Sequence, residues 1–403
     1  MTAVAHDSGM RIGLYHEPVH TDGRTYDTHG GYARYVLEFA RHFEHVTVFA
    51  PTTRQPTYFS GCPLDAPNVT VAPLPYFDHH SQAYRLAPAI IRVFRQHCAA
   101  LDVIEVRGTA PLAYVLWWLT RRRGVPFIYH FASDPFETIA RTPKYRGLYG
   151  YFAWAAYSFE FAIQKYIMRR NYSVTDGSAI SARLRRYSPN VEPVVHSTLT
   201  PEDYYQREDS CTGPVVRVLF VGALRAWKRV NDLIEAVSIL RRAGRNVELE
   251  AVGDGELRRP LLELAAQRGV HDYVHFRGVA THGPELNAHY NAADIFALPS
   301  LSEGSPRVIA EALGHSLPIV ATPVGNIAEL LGEGRRGVLV PMKDPPALAA
   351  GIARLIDDAE FRRQCIRDGY AYARQHGLDV FVARMAQKAR ALVEESRQRR
   401  PPC

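Results

Sequence analysis

Residues 298–326 read LPSLSEGSPRVIAEALGHSLPIVATPVGN, and the architecture turns on this stretch. A strand ends at Leu298. A loop carries Glu303, Gly304, Ser305 and Pro306, a helix follows with Glu311 inside it, and Leu317–Ala321 returns at once into a buried-type strand. Ser305 is placed to cap that helix, and Pro306 suits the first helical turn, where its missing N–H costs nothing. The eight-residue step from Glu303 to Glu311 sets one carboxylate above the helix mouth and the other one to two turns down. Free N–H groups of Ser305 and Arg307 lie between them, and a helix N-terminus favours an anion. Two carboxylates around such a mouth suit an anionic centre flanked by two polyhydroxyl rings.

The same strand–loop–helix rhythm extends in both directions. Upstream in the second half, strands are expected at Val216–Val221 and Val247–Val252, with helices at Val230–Ala243 and Glu256–Arg268; downstream, a strand is expected at Gly337–Val340 and a helix at Pro346–Asp357. In the first half, strands are expected at Met10–Tyr15, His45–Ala50, Val69–Ala72, Asp102–Val106, Pro126–His130 and Tyr172–Thr175. Helical patterns fill the intervals, including Gln82–Ala99, Leu112–Arg123 and Arg146–Arg170. Such alternation predicts an α/β chain of parallel sheets wrapped by helices. The apolar pattern lapses at the polar segment 201–213. The division expected is therefore 1–200, a linker 201–213, a second doubly wound domain 214–375, and a closing helix with a basic tail at 376–403 that returns to the first domain.

Composition narrows the function without choosing it. The chain has 403 residues with 47% hydrophobic and 22% charged residues, which excludes a disordered or fibrous polymer. Its net charge of +7 suits a partner bearing phosphates. Five widely spaced cysteines with no C-x-x-C pair argue against a disulfide framework and for a reducing compartment. The uncharged stretches Gly108–Thr120 and Gly147–Phe159 are too short to span a bilayer. The protein is therefore expected to be soluble or at most peripheral; the aromatic run 145–166 and Trp117-Trp118 before Arg121–Arg123 suit either a membrane surface or the core, and the core is the commoner place for helical aromatics.

Two further loops offer anion sites. The first strand leads through a long polar loop to His29-Gly30-Gly31 at a helix start, where two glycines let a ligand approach the backbone. After Gly222 a short cationic loop holds Arg225, Lys228 and Arg229, cations well placed for phosphate oxygens just beyond a strand's carboxyl end.

Taken together, FVGALRAWKRVNDLIEAV, AVGDGELRRPLLELAAQRGV with VHFRGV, the stretch quoted above and GVLV resemble the retaining glycosyltransferases related to glycogen and sucrose synthases, the family 4 type. The resemblance is strongest over Val216–Asp357; the first half matches in organisation only. It implies the GT-B fold, two Rossmann-like domains facing each other across a cleft, and a metal-independent transfer from a nucleotide sugar, with uridine the commonest base. It also implies roles. Glu303 meets the donor sugar's hydroxyls and Glu311 the ribose; Gly304, Ser305, Pro306 and Gly222 meet the diphosphate and sugar. Lys228 is the phosphate-binding lysine, Arg277 and Gly278 lie by the base, and Gly30 and Gly31 face the diphosphate from the acceptor domain.

Two positions depart from the pattern. Ala223 stands where relatives carry arginine, so either Arg225 or Arg229 substitutes or activation of the phosphate is weaker, and substitution by one of the two is the reading preferred. Ala132 replaces a histidine, so His130 or Asp134 is left as the contact on the sugar and acceptor side. No cofactor and no metal are expected. The partners expected are the donor and a saccharide, lipid-linked or small-molecule acceptor, in the cytoplasm or at the inner face of its membrane, and not nucleic acid. The rival readings are an epimerase or hydrolase acting on the nucleotide sugar, and a non-catalytic binder of nucleotide or nucleic acid.

Overall fold

A computed structural model describes residues 9–55, 61–77, 80–108, 110–131 and 147–399. The chain divides into two units, residues 1–194 with 381–403, and residues 195–380.

The first unit runs β1 (Arg11–Tyr15), β2 (Val19–Thr21), β3 (Tyr26–Thr28), α1 (Gly30–His42), β4 (His45–Thr53), β5 (Cys62–Pro63), β6 (Val69–Leu74), α2 (His80–Arg85), α3 (Ala87–His97), β7 (Val103–Arg107), α4 (Ala113–Arg121), β8 (Phe127–Phe131), α5 (Gly147–Met168), β9 (Tyr172–Asp176), α6 (Ser178–Arg185) and β10 (Val191–Val194). Its parallel sheet has the order β10-β9-β8-β7-β1-β4, with β6 also paired to β4. The order reverses at β1, whose neighbours are β4 and β7. Strands β7 and β8 are buried along their whole length, as expected for a sheet covered on both faces.

The polar loop after β1 holds more structure than its composition suggests. Strands β2, β3 and β5 form a small patch of two antiparallel pairs that extends the sheet beyond β4. Strands of two or three residues carry too little alternation to be read from sequence.

The second unit runs β11 (Val216–Val221), α7 (Val230–Arg242), β12 (Val247–Val252), α8 (Arg258–Gln267), β13 (Val274–Gly278), α9 (Pro284–Ala292), β14 (Ile295–Leu298), α10 (Arg307–Gly314), β15 (Ile319–Ala321), α11 (Ile327–Leu330), β16 (Gly337–Leu339), α12 (Pro345–Asp357) and α13 (Ala359–Gln375). The last helix, α14 (Leu378–Gln398), begins in this unit and continues into the first. The sheet order is β13-β12-β11-β14-β15-β16, all parallel, a doubly wound arrangement whose order reverses between β11 and β14. Local chemistry starts the helices: the side chains of Asp344 and Asp358 accept from Ala347 N and Phe361 N, capping α12 and α13.

The segment 201–213 is tied into the second unit. Arg207 donates to the carbonyls of Tyr290, Ala293 and His315, and Asp209 pairs with Arg362 at 2.6 Å. A polar composition here reflects hydrogen bonding to helix ends. Among the described residues no helix is long and apolar enough to cross a membrane.

Candidate functional site

Ligands in open parallel sheets bind beyond the strand carboxyl ends where the order reverses. In the second unit that point lies between β11 and β14. The loop after β11 carries Lys228 and the loop after β14 carries Glu303; their side chains meet with Lys228 Nζ 2.7 Å from Glu303 Oε1. Ser300 Oγ donates to the same oxygen at 2.5 Å. Both partners therefore engage Oε1, and no described residue bonds Oε2. The loops are also joined through the backbone, Leu301 N donating to Trp227 O at 2.7 Å. The side chains of Lys228 and Glu303 are 16% and 10% exposed, enough to be reached by a ligand and too little to be fully screened.

Helix α10 starts one residue later than the sequence indicates. Pro306, with ψ 107°, is the N-cap residue, and Ser305 lies outside the helix. Proline has no side-chain acceptor, so the first-turn N–H groups carry no side-chain cap. The Ser305 hydroxyl instead accepts from Asn326 Nδ2 at 3.0 Å, and Asn326 N donates to Gly304 O at 3.1 Å. The loop thus rests on residues 325–326. Gly325 has φ +60°, and a Cβ there would lie 2.4 Å from the carbonyl oxygens of both Glu303 and Gly304. Only glycine allows this approach.

Glu311 is placed differently from Glu303. It is 2% exposed, and both oxygens accept hydroxyl hydrogen bonds, from Thr198 Oγ1 at 2.5 Å and Tyr290 OH at 3.1 Å. Burial and the Glu311 charge hold the Tyr290 phenol far above its usual range, so it remains a donor. The Tyr290 ring stacks on His315 with centroids 4.9 Å apart and planes 10° apart. His315 Nδ1 lies 2.7 Å from Asn291 Oδ1. Burial pushes the His315 imidazole down to about 4, so it is neutral at pH 7.

A histidine lowered on folding contributes stability above its unfolded value near 6.5, and that contribution is lost as pH falls toward the folded value of about 4. His315→Gln is therefore expected to flatten the pH dependence of stability. Wild type loses about 2 kcal/mol more than the variant between pH 7 and pH 5, read from urea unfolding at each pH.

The flanking cations separate cleanly. Arg229, with φ +55°, donates to both oxygens of Asp232 at 2.8 and 2.6 Å and is committed there. The Arg225 guanidinium lies over the Trp227 ring, 5.2 Å from its centroid, with no carboxylate partner among the described residues. Of the two, only Arg229 is held by a described carboxylate. Arg277 Nε donates to Glu250 at 3.0 Å, and His289 contacts the other oxygen of Glu250 at 2.6 Å. The Gly278 carbonyl accepts from Gly253 N at 2.6 Å, and Gly222 N donates to Val252 O at 2.9 Å. These bonds bring the ends of β11, β12 and β13 together. At Gly253 a Cβ would lie 2.0 Å from Gly222 O.

In the first unit, Gly30 and Gly31 open α1 and are buried, with His29 as N-cap accepting from Tyr32 N at 3.3 Å. The other His29 nitrogen bonds the Glu17 carboxylate. His130 is 0% exposed, with Nδ1 3.0 Å from Glu105 Oε1 and Nε2 2.7 Å from Asp176 Oδ1. Arg107 reaches the other Asp176 oxygen at 3.2 Å, and Tyr35 OH donates to Glu105 at 2.5 Å. Burial works to lower the His130 value, but Asp176 and Glu105 outweigh it and raise it. With both ring nitrogens engaged by carboxylates, His130 joins the ends of β7, β8 and β9. In this arrangement both nitrogens that would make the expected contact with a sugar or acceptor already have carboxylate partners. Asp134 lies outside the described residues. Sequence reasoning missed Thr198, Tyr290, Ser300 and Asn326, which reach the two acidic residues and their loop from elsewhere in the fold.

Comparison with known proteins agrees with the fold. The description "Glycosyl transferases group 1" matches residues 215–358, and "Glycosyl transferase 4-like domain" matches residues 30–191. An alpha-D-kanosaminyltransferase of Streptomyces kanamyceticus is 34% identical over 147 residues, 36% of this chain and 38% of that protein. A D-inositol 3-phosphate glycosyltransferase of Salinispora tropica is 35% identical over 192 residues, 45% of this chain and 39% of its own. The chain thus spans about two fifths of the length of the curated relatives it matches. Among solved structures, sucrose-phosphate synthase of Thermosynechococcus elongatus aligns with TM-score 0.73 and 20% identity over 96% of this chain and 100% of that one. WaaG, a glycosyltransferase involved in lipopolysaccharide biosynthesis, aligns with TM-score 0.67 and 17% identity over 94% and 99%. Anabaena HepE, solved with UDP, aligns with TM-score 0.66 and 16% identity over 95% and 100%. With one family description on each half and a sheet reversal of the right kind in each, the chain belongs to the glycosyltransferases of the GT-B fold.

Proposed function

We propose that the protein transfers a sugar from a nucleoside diphosphate sugar to a hydroxyl acceptor, with retention of anomeric configuration and without a metal. The observation that carries this reading is the meeting of Lys228 and Glu303 beside the uncapped N-terminus of α10, at the point where the second sheet reverses.

The chemistry follows from the charges. As the bond from the anomeric carbon to the diphosphate breaks, negative charge grows on the β-phosphate and the sugar becomes oxocarbenium-like. Lys228, Arg225 and the N–H groups of Arg307 and Val308 are fixed positive groups that stabilise the leaving diphosphate without reorganising. Glu303 Oε2 accepts from the sugar's hydroxyls, and Glu311 accepts from the ribose once Thr198 and Tyr290 give way. Arg277, Gly278 and Gly222 border the base and phosphates, with Gly304, Ser305 and Pro306 beneath the sugar. The first unit receives the acceptor, with Gly30 and Gly31 at its own strand edge. Attack by the acceptor hydroxyl on the face the diphosphate leaves, its proton passing to the departing phosphate oxygen, gives retention and needs no protein nucleophile.

Uridine is the base proposed, in keeping with the UDP bound by the HepE structure. Cys62, Cys98, Cys211 and Cys365 are free thiols, which suits a reducing cytoplasm. A thermal-shift panel of nucleoside diphosphates, followed by product analysis of each nucleotide sugar with simple sugar acceptors, tests the reading. UDP is expected to raise Tm most, since a ligand bound at 100 times its Kd adds about 2.7 kcal/mol. A protein whose Tm responds to no nucleotide, and which transfers no sugar, would overturn the proposal.

A further inference from the structure

Helices α3, α4, α5 and α6 cover one side of the first sheet. Ile90, Phe94, Leu116, Trp117, Ile167 and Leu184 point inward to a single apolar core. The charge pattern of these helices is one-sided. Residues 80–100, 113–123, 147–170 and 178–187, which comprise α2 to α6 and the residues that close them, carry twelve Lys and Arg and one acid, Glu160. That surplus of eleven exceeds the +7 of the whole chain, so the remainder is net negative. An ordinary solvated surface mixes both signs.

Large aromatic side chains stand outward among these cations. Trp118 is 42% exposed on α4; on α5, Tyr151 is 66%, Trp154 53%, Phe159 70% and Tyr166 42% exposed. The Arg122 guanidinium lies 4.1 Å above the Trp118 ring, and that of Arg170 3.8 Å above Tyr166. Between α3 and α4 a recess of about 390 Å³ is lined by Arg95, Arg122, Arg123 and Trp118, large enough for a phosphate headgroup.

We propose that this face of the first unit docks on an anionic phospholipid bilayer. The exposed rings enter the interfacial zone, where amphipathic aromatics are most stable, and the guanidinium groups meet lipid phosphates. Each Lys or Arg held near such a surface strengthens binding about fivefold. The proposal stands independently of the assignment of the donor site.

Flotation of the full chain with vesicles of phosphatidylcholine, alone or mixed with phosphatidylglycerol, tests it. Binding is expected on the mixed vesicles only and is released by salt at about 0.5 M, where screening is strong. The triple variant Arg121→Ala, Arg122→Ala, Arg123→Ala is expected to bind roughly 100-fold more weakly. Trp118→Ala weakens binding while keeping its salt dependence. The far-UV circular dichroism spectrum and cooperative thermal unfolding of each variant remain as in wild type and report intact folding. Equal binding to both vesicle types, or to neither, would overturn the proposal. So would binding to duplex DNA or tRNA that anionic vesicles fail to compete away.

Discussion

Lys228→Gln lowers kcat for sugar transfer by about 10²–10³-fold, the usual loss when one preorganised group is removed from a developing oxyanion. Glutamine is one atom shorter and falls short of Glu303 Oε1, which keeps its bond from Ser300 Oγ, so the loops stay joined and Tm falls only modestly. What disappears is the positive charge. In the free protein that charge is balanced by Glu303 at 2.7 Å. When a donor arrives, the three protons of the ammonium serve the carboxylate and a phosphate oxygen together. Because charge on the leaving diphosphate is greater in the transition state than in the bound donor, the loss falls mainly on kcat and less on KM. Lys228→Arg restores part of the rate, since its charge is kept while its fork geometry differs. Steady-state kinetics with a nucleotide sugar and a soluble acceptor decide the matter. Rates for Lys228→Gln within about threefold of wild type would remove leaving-group stabilisation from Lys228.

Glu311→Gln weakens nucleoside diphosphate binding by about 10- to 100-fold, because an amide oxygen accepts fewer hydrogen bonds from a ribose diol than a carboxylate does. Glu311 already accepts from Thr198 and Tyr290 inside the second unit. Its role as an internal anchor and its role toward ribose must therefore be separated. A 2′,3′-dideoxy nucleotide does so. If Glu311 binds the ribose, the variant and wild type differ for the natural nucleotide and scarcely differ for the dideoxy analogue. If Glu311 serves only to hold Thr198 and Tyr290, both nucleotides lose affinity by the same factor. Titration calorimetry gives all four constants, and the coupling between them is the quantity of interest. Glu311→Ala is harsher, because it strands the buried Tyr290 hydroxyl and costs about 2–4 kcal/mol of stability.

Much of this arrangement could be read along the chain. The alternation of apolar runs with amphipathic stretches located both sheets, and the eight-residue step from Glu303 to Glu311 marked the loop and helix that follow β14, where the second sheet reverses. Local signals fell short where the fold was decided by contacts distant in sequence. Thr198 meets Glu311 across 113 positions, and Tyr290 meets it from another helix. No spacing rule links those residues. His130 is likewise held by partners distant in sequence. A histidine at a strand end invites a ligand role, but Glu105 and Asp176 from two neighbouring strands take both of its nitrogens. The helix start was misplaced by one residue, since Pro306 adopts an extended ψ and leaves the serine hydroxyl to Asn326. Strand β13 and helix α9 escaped notice because their apolar residues are few and their partners lie across the sheet.

The most direct measurement is a crystal structure of the protein soaked with a nucleoside diphosphate. Phosphate oxygens are expected within hydrogen-bond distance of Lys228 Nζ and the N–H groups at the start of α10, with the ribose hydroxyls on Glu311 in place of Thr198 and Tyr290. A nucleotide seated away from α10, with the Glu311 carboxylate still bonded to those two hydroxyls, would contradict the proposed donor site.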